Sequence, residues 1–380
     1  MDKRKRIAII TSGHSSYDDR IFWRFGISLQ QNSFAVTVIS SVEEMNIVEH
    51  GIQIKSFAGK SLEKKDKILM FFNFLMQIKP DLIICCEPLT ILAAVKYRKS
   101  SLKRVRILSD ITEYYPHQNL LKQYKGLKRL FVYLFYFLFN AYTANLVNAL
   151  IIGEKKKAKL YNWISPLIPK HLVGYYTPKR FFRYKPIEMS STITIGYIGE
   201  VSTERGIFNF LEVIREIASS HNENNYIIKI IGNMSTGISN GDINNSISDI
   251  NNINIKYESW VAYNKLSDAL SQVHIVIDLR EKNIIYNRSL PIKIFDCLAV
   301  GRPIIISNLD SLKDFDDLEK FGFVVEPNNT KEIVLVLSKY LEDKNLYQRH
   351  SEQANQLFLN KYNWEILENN FLSIIIKYLK

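Results

Sequence analysis

The chain alternates short apolar runs with stretches of helical periodicity. RIAIIT (6–11), FAVTVIS (34–40), DLIICC (81–86), RVRILS (104–109) and NALIIG (148–153) are apolar on both faces, as expected of parallel strands covered on two sides by helices. The pattern restarts at TITIGYIG (192–199), leads into a helix from about Gly206, and continues through YIIKIIG (226–232), INIKYE (253–258), HIVID (274–278), PIIIS (303–307) and FGFVVEP (321–327). Between the two series, Pro178 to Ser191 is polar and basic, carries two prolines, and reads as a linker.

The expected fold class is α/β: two doubly wound, Rossmann-like domains, residues 1–185 and 186–363, facing each other across a cleft. Ligands of such sheets bind at the carboxyl ends of the strands. Ser235 to Asn252, rich in Asn, Ser, Gly and Ile, is expected to be a loose surface excursion. Helical patterns follow at about 329–343 and 346–361. The last, Trp364 to Leu379, spaces Ile366, Leu367, Phe371, Ile374, Ile375 and Leu379 along one face, so residues 364–380 are expected to dock back on the N-terminal domain.

One apolar run fits neither series. LFVYLFYFLF (130–139) has about half of the roughly 20 residues a spanning helix needs. Two readings stand: a core helix, or a helix lying in a membrane interface, because Lys122, Lys125, Lys128 and Arg129 precede it and Lys155, Lys156 and Lys157 follow.

Charge bears on this choice. The 380 residues hold 50 Lys+Arg and 38 Asp+Glu, a net +12. Residues 1–190 hold 31 basic and 14 acidic side chains (+17), and residues 191–380 hold 19 and 24 (−5). The whole basic excess lies in the N-terminal half, which suits an anionic membrane surface. With 47% hydrophobic and 23% charged residues the chain is a folded protein. Cys85, Cys86 and Cys297 form no C-x-x-C pair or bridge framework, which fits the cytoplasm. Lys3 to Arg6 before Ile7 to Ile10 imitates a signal peptide, but Ser12, His14 and Asp18 end the run at once, so a first buried strand is expected.

Common catalytic motifs are missing. No G-x-G-x-x-G follows the first strand, and there is no G-x-x-x-x-G-K-[ST] and no H-x-x-x-H. No metal centre and no cofactor are expected. Two segments point to an anionic ligand instead. Gly199 to Gly206 (GEVSTERG) is a strand-to-helix turn with one cation, Arg205, at a helix N-terminus. Asn287 to Pro303 (NRSLPIKIFDCLAVGRP) suggests a helix capped by Ser289 and ended by Gly301, with Lys293 and Asp296 sharing a face. Amides and a Lys suit a diphosphate, and a carboxylate one turn on accepts from ribose hydroxyls.

The segment Tyr286 to Ser307, the run GYIGEVSTERGI (196–207), Glu258-Ser259-Trp260-Val261 and Tyr362-Asn363-Trp364-Glu365 resemble landmarks of family 4 (group 1) glycosyltransferases of the GT-B fold. The resemblance extends to His14-Ser15-Ser16-Tyr17-Asp18-Asp19-Arg20-Ile21 and Asp110-Ile111-Thr112-Glu113-Tyr114-Tyr115-Pro116. Its most specific part is P-x-K-x-F-[DE] with G-[KR]-P-[IV]-I downstream. The resemblance implies that the C-terminal domain binds a nucleoside-diphosphate sugar as co-substrate. Asp296 matches the second acid of the E-x7-E motif, which holds the ribose, and Arg205 and Lys293 match diphosphate cations. The chain departs from the family at three places: Arg288 stands where the first acid belongs, Glu200 where a second diphosphate Arg is frequent, and Thr112 where a His is frequent.

The expected donor site is therefore Gly199, Arg205, Gly206, Asn287, Arg288, Ser289, Leu290, Lys293 and Asp296, with Gly13 opposite. Glu113, Asp110 and His14 are the catalytic candidates, with Glu113 handling a proton, and Asp19 and Arg20 are expected on the acceptor side. The implied reaction is metal-independent transfer with retention to a hydroxyl acceptor, lipid-linked or on a cell-surface glycan precursor, by a peripheral protein on the inner face of the cell membrane. An epimerase of the same fold, or a noncatalytic membrane-associated assembly subunit, are the alternatives. A nucleic-acid partner is not expected, because no basic stripe interleaved with aromatics is present.

Overall fold

The computed structural model describes residues 4–113, 115–116, 120–121, 123–313 and 315–380. It forms two compact units, one of Met1–Tyr175 with Leu367–Lys380 and one of Tyr176–Ile366.

Among the described residues, the first unit is built on eight strands: β1 (Arg6–Thr11), β2 (Ala35–Ser40), β3 (Met45–Glu49), β4 (Ile52–Ser56), β5 (Leu82–Cys85), β6 (Arg106–Ile111), β7 (Ala149–Ile152) and β8 (Lys170–Leu172). Their order is β3-β4-β2-β1-β5-β6-β7-β8, parallel except for the β3–β4 hairpin. The five apolar runs of the first series become β1, β2, β5, β6 and β7. Ile7, Ala8, Ile9 and Ile10 lose all exposure because helices cover both faces. A π-helical stretch (Asp19–Gly26) runs into α1 (Ile27–Gln31), followed by α2 (Lys64–Ile78), α3 (Pro88–Ser100), α4 (Gly126–Ala144) and α5 (Lys155–Ile164).

The second unit carries six described strands: β9 (Thr192–Ile198), β10 (Asn225–Ile231), β11 (Ile253–Glu258), β12 (Ile275–Asp278), β13 (Ile304–Ser307) and β14 (Gly322–Val325). They are parallel, in the order β11-β10-β9-β12-β13-β14. The helices are α6 (Ile207–Ser220), α7 (Asn240–Asn245), α8 (Leu266–Leu270), α9 (Lys293–Val300), α10 (Thr330–Glu342), α11 (Lys344–Asn360) and α12 (Trp364–Leu379). α6 shows how pattern becomes packing: Ile207, Phe210, Leu211, Ile214 and Ile217 recur at helical spacing and are all buried.

Three expectations change. The segment 235–252 is anchored rather than loose: Ser239 and Asp242 form a capping box on α7, and Ile243 and Ile247 are buried. The units divide at Tyr175/Tyr176, whereas the sequence suggests 185/186. The cause is a clasp: Trp364 N donates to Thr177 O (3.0 Å), Thr177 bridges Asn363, and the Tyr176 ring lies 4.8 Å from that of Phe295. Residues 176–185 thus pack with the second unit. The core reading of the 130–139 run also fails. α4 leaves Leu127, Leu130, Phe131, Leu134, Phe135 and Leu138 exposed and buries instead Asn140, Thr143 and Ala144 at its end.

The basic cluster needs a matching revision. Lys157 is buried and bonded to Glu154, the Thr112 carbonyl and Tyr175 Oη, so it serves packing. Lys155 and Lys159 are exposed. Lys122, like Tyr114 of the central landmark, lies outside the described residues.

From Leu367 on, α12 belongs to the first unit. Within the first unit Phe371 stacks on Phe25, centroids 4.3 Å apart, and Tyr378 Oη meets His171 Nε2 at 3.1 Å.

Arg20 and Asp110 are buried, at 2% and 0% exposure. Arg20 Nε and Nη2 donate to the two Asp110 oxygens (2.7 and 2.8 Å), and its remaining donors reach the Gly174 and Val173 carbonyls (2.8 and 2.9 Å). Arg20, expected on the acceptor side, and Asp110, a catalytic candidate, are thus paired with each other inside the first unit. Removing one partner of such a pair strands a charge without solvent. Arg20→Leu is expected to lower stability by about 3–5 kcal/mol and the Arg20→Leu, Asp110→Leu double variant by less, as read from urea unfolding followed by circular dichroism. Equal losses would contradict a coupled pair.

Candidate functional site

A doubly wound sheet opens a crevice where neighbouring strands send their connections to opposite faces. In the first unit that point is β1, with β2 on one side and β5 on the other. The loop after β1 carries Gly13 and His14. It is shaped by Glu87, just after β5: this carboxylate accepts from Thr11 Oγ1 (2.7 Å), Ser12 N (2.7 Å) and Gly13 N (3.1 Å). A Cβ on Gly13 would come within 3.3 Å of Glu87 Oε1, so a side chain there needs the carboxylate to yield by a few tenths of an ångström.

His14 lies between acids. Its Nδ1 is 3.3 Å from Asp18 Oδ2 and its Nε2 3.8 Å from Glu87 Oε1. Burial disfavours the imidazolium, but the Asp18 hydrogen bond and the Asp18, Glu87 and Glu113 charges outweigh it and push the pKa up to about 10. His14 is therefore a fixed cation at neutral pH. Burial raises the Glu87 carboxyl, while His14 and the loop donors pull it the other way. Glu113 is exposed just beyond β6. Asp19 pairs with Arg24 Nη1 (2.9 Å), and Asp18 caps the following helix by accepting from Arg20 N and Ile21 N.

In the second unit the switch point is β9, between β10 and β12. Gly199 (φ 123°) and Gly206 (φ 77°) bracket the turn after it, and a Cβ on Gly206 would sit 2.0 Å from the Leu279 carbonyl. That close approach binds the β9 loop to the β12 loop. Arg205 lies over the Tyr286 ring at 5.0 Å, and Arg280 lies 5.8 Å from the same ring. Arg280 is neutralised by Asp278 through a bidentate pair. Arg205 has no such partner, and its buried Nε finds no hydrogen-bond acceptor among the described residues. A buried, unsatisfied guanidinium donor is costly and suits an anion. At the start of α6 the N–H groups of Gly206 and Ile207 are taken by Thr203 and Ser202. Those of Phe208 and Asn209 lack partners among the described residues.

The third part is the stretch before α9. Asn283 Oδ1 accepts from Ile285 N and Tyr286 N, and Asn287 and Asp310 exchange two bonds, Nδ2 to Oδ2 (2.6 Å) and Asp310 N to Oδ1 (2.8 Å). Ser289 does not cap α9: its N–H closes the turn onto Ile285 O, its carbonyl accepts from Ser311 Oγ, and the helix begins at Lys293 without a side-chain cap. Arg288 is exposed and Leu290 half-buried. Gly301 (φ 68°) ends α9 as expected. Lys293 Nζ lies 3.5 Å from Asp296 Oδ2, while the buried Asp296 Oδ1 accepts from Thr177 Oγ1 (2.7 Å) and Tyr263 Oη (3.4 Å). One oxygen of Asp296 is thus tied into the clasp, and the other is turned to Lys293. Glu200 is exposed, its carbonyl held by Tyr197 Oη.

The sequence left out Glu87, Tyr286, Thr177 and the Asp278–Arg280 pair. Two of these had a readable signal: Cys86-Glu87-Pro88 and Asp278-Leu279-Arg280 each place charge just beyond the carboxyl end of an apolar strand. Tyr286 opens the landmark segment Tyr286 to Ser307 without marking itself as a partner of Arg205, and Thr177 had no signal.

The raised pKa of His14 has a signed consequence. Unfolded, the imidazole loses its proton near 6.5, but folded only near 10, so its stabilising contribution is complete below about 6.5 and is lost as pH rises through the folded value. Proton NMR is expected to show a His14 midpoint near 10, and His14→Gln to flatten the decline of stability above neutral pH. A midpoint in the ordinary histidine range would exclude the Asp18–His14–Glu87 cluster.

Comparison with known proteins follows the same division. The family model described as glycosyl transferases group 1 matches residues 179–357. No curated protein sequence matches the chain. Among solved structures, sucrose-phosphate synthase from Thermosynechococcus elongatus superposes with a TM-score of 0.73 at 14% identity, covering 98% of this chain and 99% of its own. A glycosyltransferase from Rickettsia africae gives 0.69 at 12% identity, covering 100% and 99%. HepE from Anabaena, solved in complex with UDP, gives 0.69 at 10% identity, covering 98% and 100%. The chain thus has the fold of the GT-B glycosyltransferases over nearly its whole length, and its second unit carries the sequence pattern of the group 1 glycosyl transferases.

Proposed function

We propose that the chain is a retaining, metal-independent glycosyltransferase of family 4. It moves a sugar from a nucleoside-diphosphate sugar to a hydroxyl group of a lipid-linked or cell-surface glycan precursor. The observation that carries this reading is Arg205: a cation with a buried, unpaired Nε at the carboxyl end of β9, inside the region that matches the family model.

In this reading the bond from the anomeric carbon to the diphosphate oxygen breaks with its electron pair leaving on the diphosphate. The acceptor oxygen bonds to the same carbon and loses its proton. Arg205, Lys293 and the open N–H groups of α6 stabilise the charge that develops on the leaving group, as preorganised donors do. Asp296, steadied through Thr177, offers its second oxygen to ribose hydroxyls. Glu113 takes the acceptor proton, and His14 contributes a positive charge that does not titrate near neutrality. Asn287 is committed to Asp310, so exposed Arg288 is left to select the donor sugar where the family has an acid. The UDP complex of HepE makes uridine nucleotides the first donors to test.

A thermal-shift panel of UDP-, GDP- and dTDP-sugars is expected to give one clear stabilisation, because a ligand of the native state raises the melting temperature. Arg205→Ala and Lys293→Ala are expected to cut turnover by about 10²–10³, with the fold kept. Unchanged binding and turnover in Lys293→Ala would reject the donor site. A new sugar nucleotide formed from donor alone would mark an epimerase instead.

A further inference from the structure

The apolar residues of α4 recur at 127, 130, 131, 134, 135 and 138, three or four apart, so they form one stripe along the helix. In a soluble domain such a stripe faces the core. Here it faces outward, with Phe131, Phe135 and Leu138 at 68%, 62% and 64% exposure. The end of the helix is anchored on its other side: Asn140 Nδ2 donates to Tyr161 Oη (3.0 Å), and Asn145 Nδ2 to the Ile164 carbonyl (2.9 Å). These bonds join α4 to α5, whose exposed Trp163 extends the patch, its ring 6.2 Å from that of Phe137. The patch is held by these bonds to α5, and monomeric surfaces rarely leave large contiguous apolar areas uncovered.

Charge decides what covers it. No Asp or Glu occurs between Glu113 and Glu154, while Lys125, Lys128, Arg129, Lys155 and Lys159 are exposed on and beside the two helices. A second copy seated on this face would bring two basic rims together. No described helix is long and apolar enough to cross a membrane. An aromatic stripe bordered by an excess of basic side chains, to which Lys64 beside Tyr136 adds another, matches the boundary between headgroups and acyl chains of an anionic bilayer.

We infer that the outward face of α4, extended by Trp163, is a docking surface that lies in the interface of an anionic membrane and seats the first unit on it. This goes beyond the proposed transfer reaction and is argued from exposure and charge alone. Side chains of the stripe enter the acyl boundary, while the Lys and Arg residues remain at headgroup level.

The test uses the full chain in flotation assays with phosphatidylcholine vesicles and with vesicles of phosphatidylcholine and phosphatidylglycerol in equal parts. The protein is expected to float with the anionic vesicles, most strongly at low salt. Phe131→Ser, Phe135→Ser and Leu138→Ser combined should weaken binding by tenfold or more. Lys128→Glu with Arg129→Glu should weaken it by at least roughly fivefold per charge and remove most of the salt dependence. All five positions are exposed, so the melting temperature should hold. Brominated acyl chains should quench Trp163 fluorescence, and Trp163→Phe should abolish that component. Absence of binding to either vesicle, unchanged binding of the triple variant, or a dimer in light scattering that the triple variant dissolves would each overturn the inference. Nucleotide-sugar binding, scored separately by thermal shift, reports on the transferase reading alone: loss of one result leaves the other standing.

Discussion

Both sheets are parallel through their centres, and in a parallel sheet covered on both faces the strands offer nothing to a ligand. Their backbone groups are spent on neighbours and their side chains on helices. Chemistry is confined to the loops at the carboxyl edge, and to the strands where the connections part. That constraint selects the same place in each unit: the loop after β1 with Glu87 in the first, and the loops after β9 and β12 in the second. The two solutions differ. The first unit surrounds a cation with acids and so fixes its charge. The second sets Arg205 and Arg280 by the Tyr286 ring and leaves Arg205 Nε without an acceptor among the described residues.

What holds these loops is a small number of buried polar anchors. Arg20 and Asp110 tie the helix after β1 to β6 and to the chain beyond β8. Thr177 ties Asp296 to the chain around Asn363 and Trp364. Each joins segments far apart in sequence, so a loop that carries chemistry is positioned from the interior. The resemblance around Tyr362-Asn363-Trp364-Glu365 takes on a physical meaning here: Asn363 donates to Phe358 O and accepts from Ile366 N, Trp364 is fully buried, and Glu365 accepts from Lys179 N.

The parallel strands were legible because burial on two faces writes an uninterrupted apolar run. β3, β4 and β8 were not: MNIVE and IQIKS alternate with polar residues at one margin of the sheet, and KHL at the other is short and only partly buried. At the site, charges beside glycines were legible as candidates, but their partners were not. Nothing in the order of residues tells that Arg20 faces Asp110 or that Asn287 faces Asp310. Periodicity also reports that a helix has a stripe without saying which way it faces. α4 was open to two readings for that reason, and the burial of Asn140 and Thr143 with the apolar stripe outside removes the core reading.

That α12 belongs to the first unit from Leu367 on has a consequence for how the protein is made. The first unit is discontinuous: Leu367–Lys380 complete it, and the whole of Tyr176–Ile366 is synthesised in between. Domains tend to fold in the order in which they leave the ribosome, yet here the earlier unit must wait, with Phe25 lacking its stacking partner Phe371, until the later unit has emerged. The second unit is thus an insertion in the folding history of the first. The apolar stripe of α4 is on the nascent chain throughout that wait, well before Leu367–Lys380 complete the first unit.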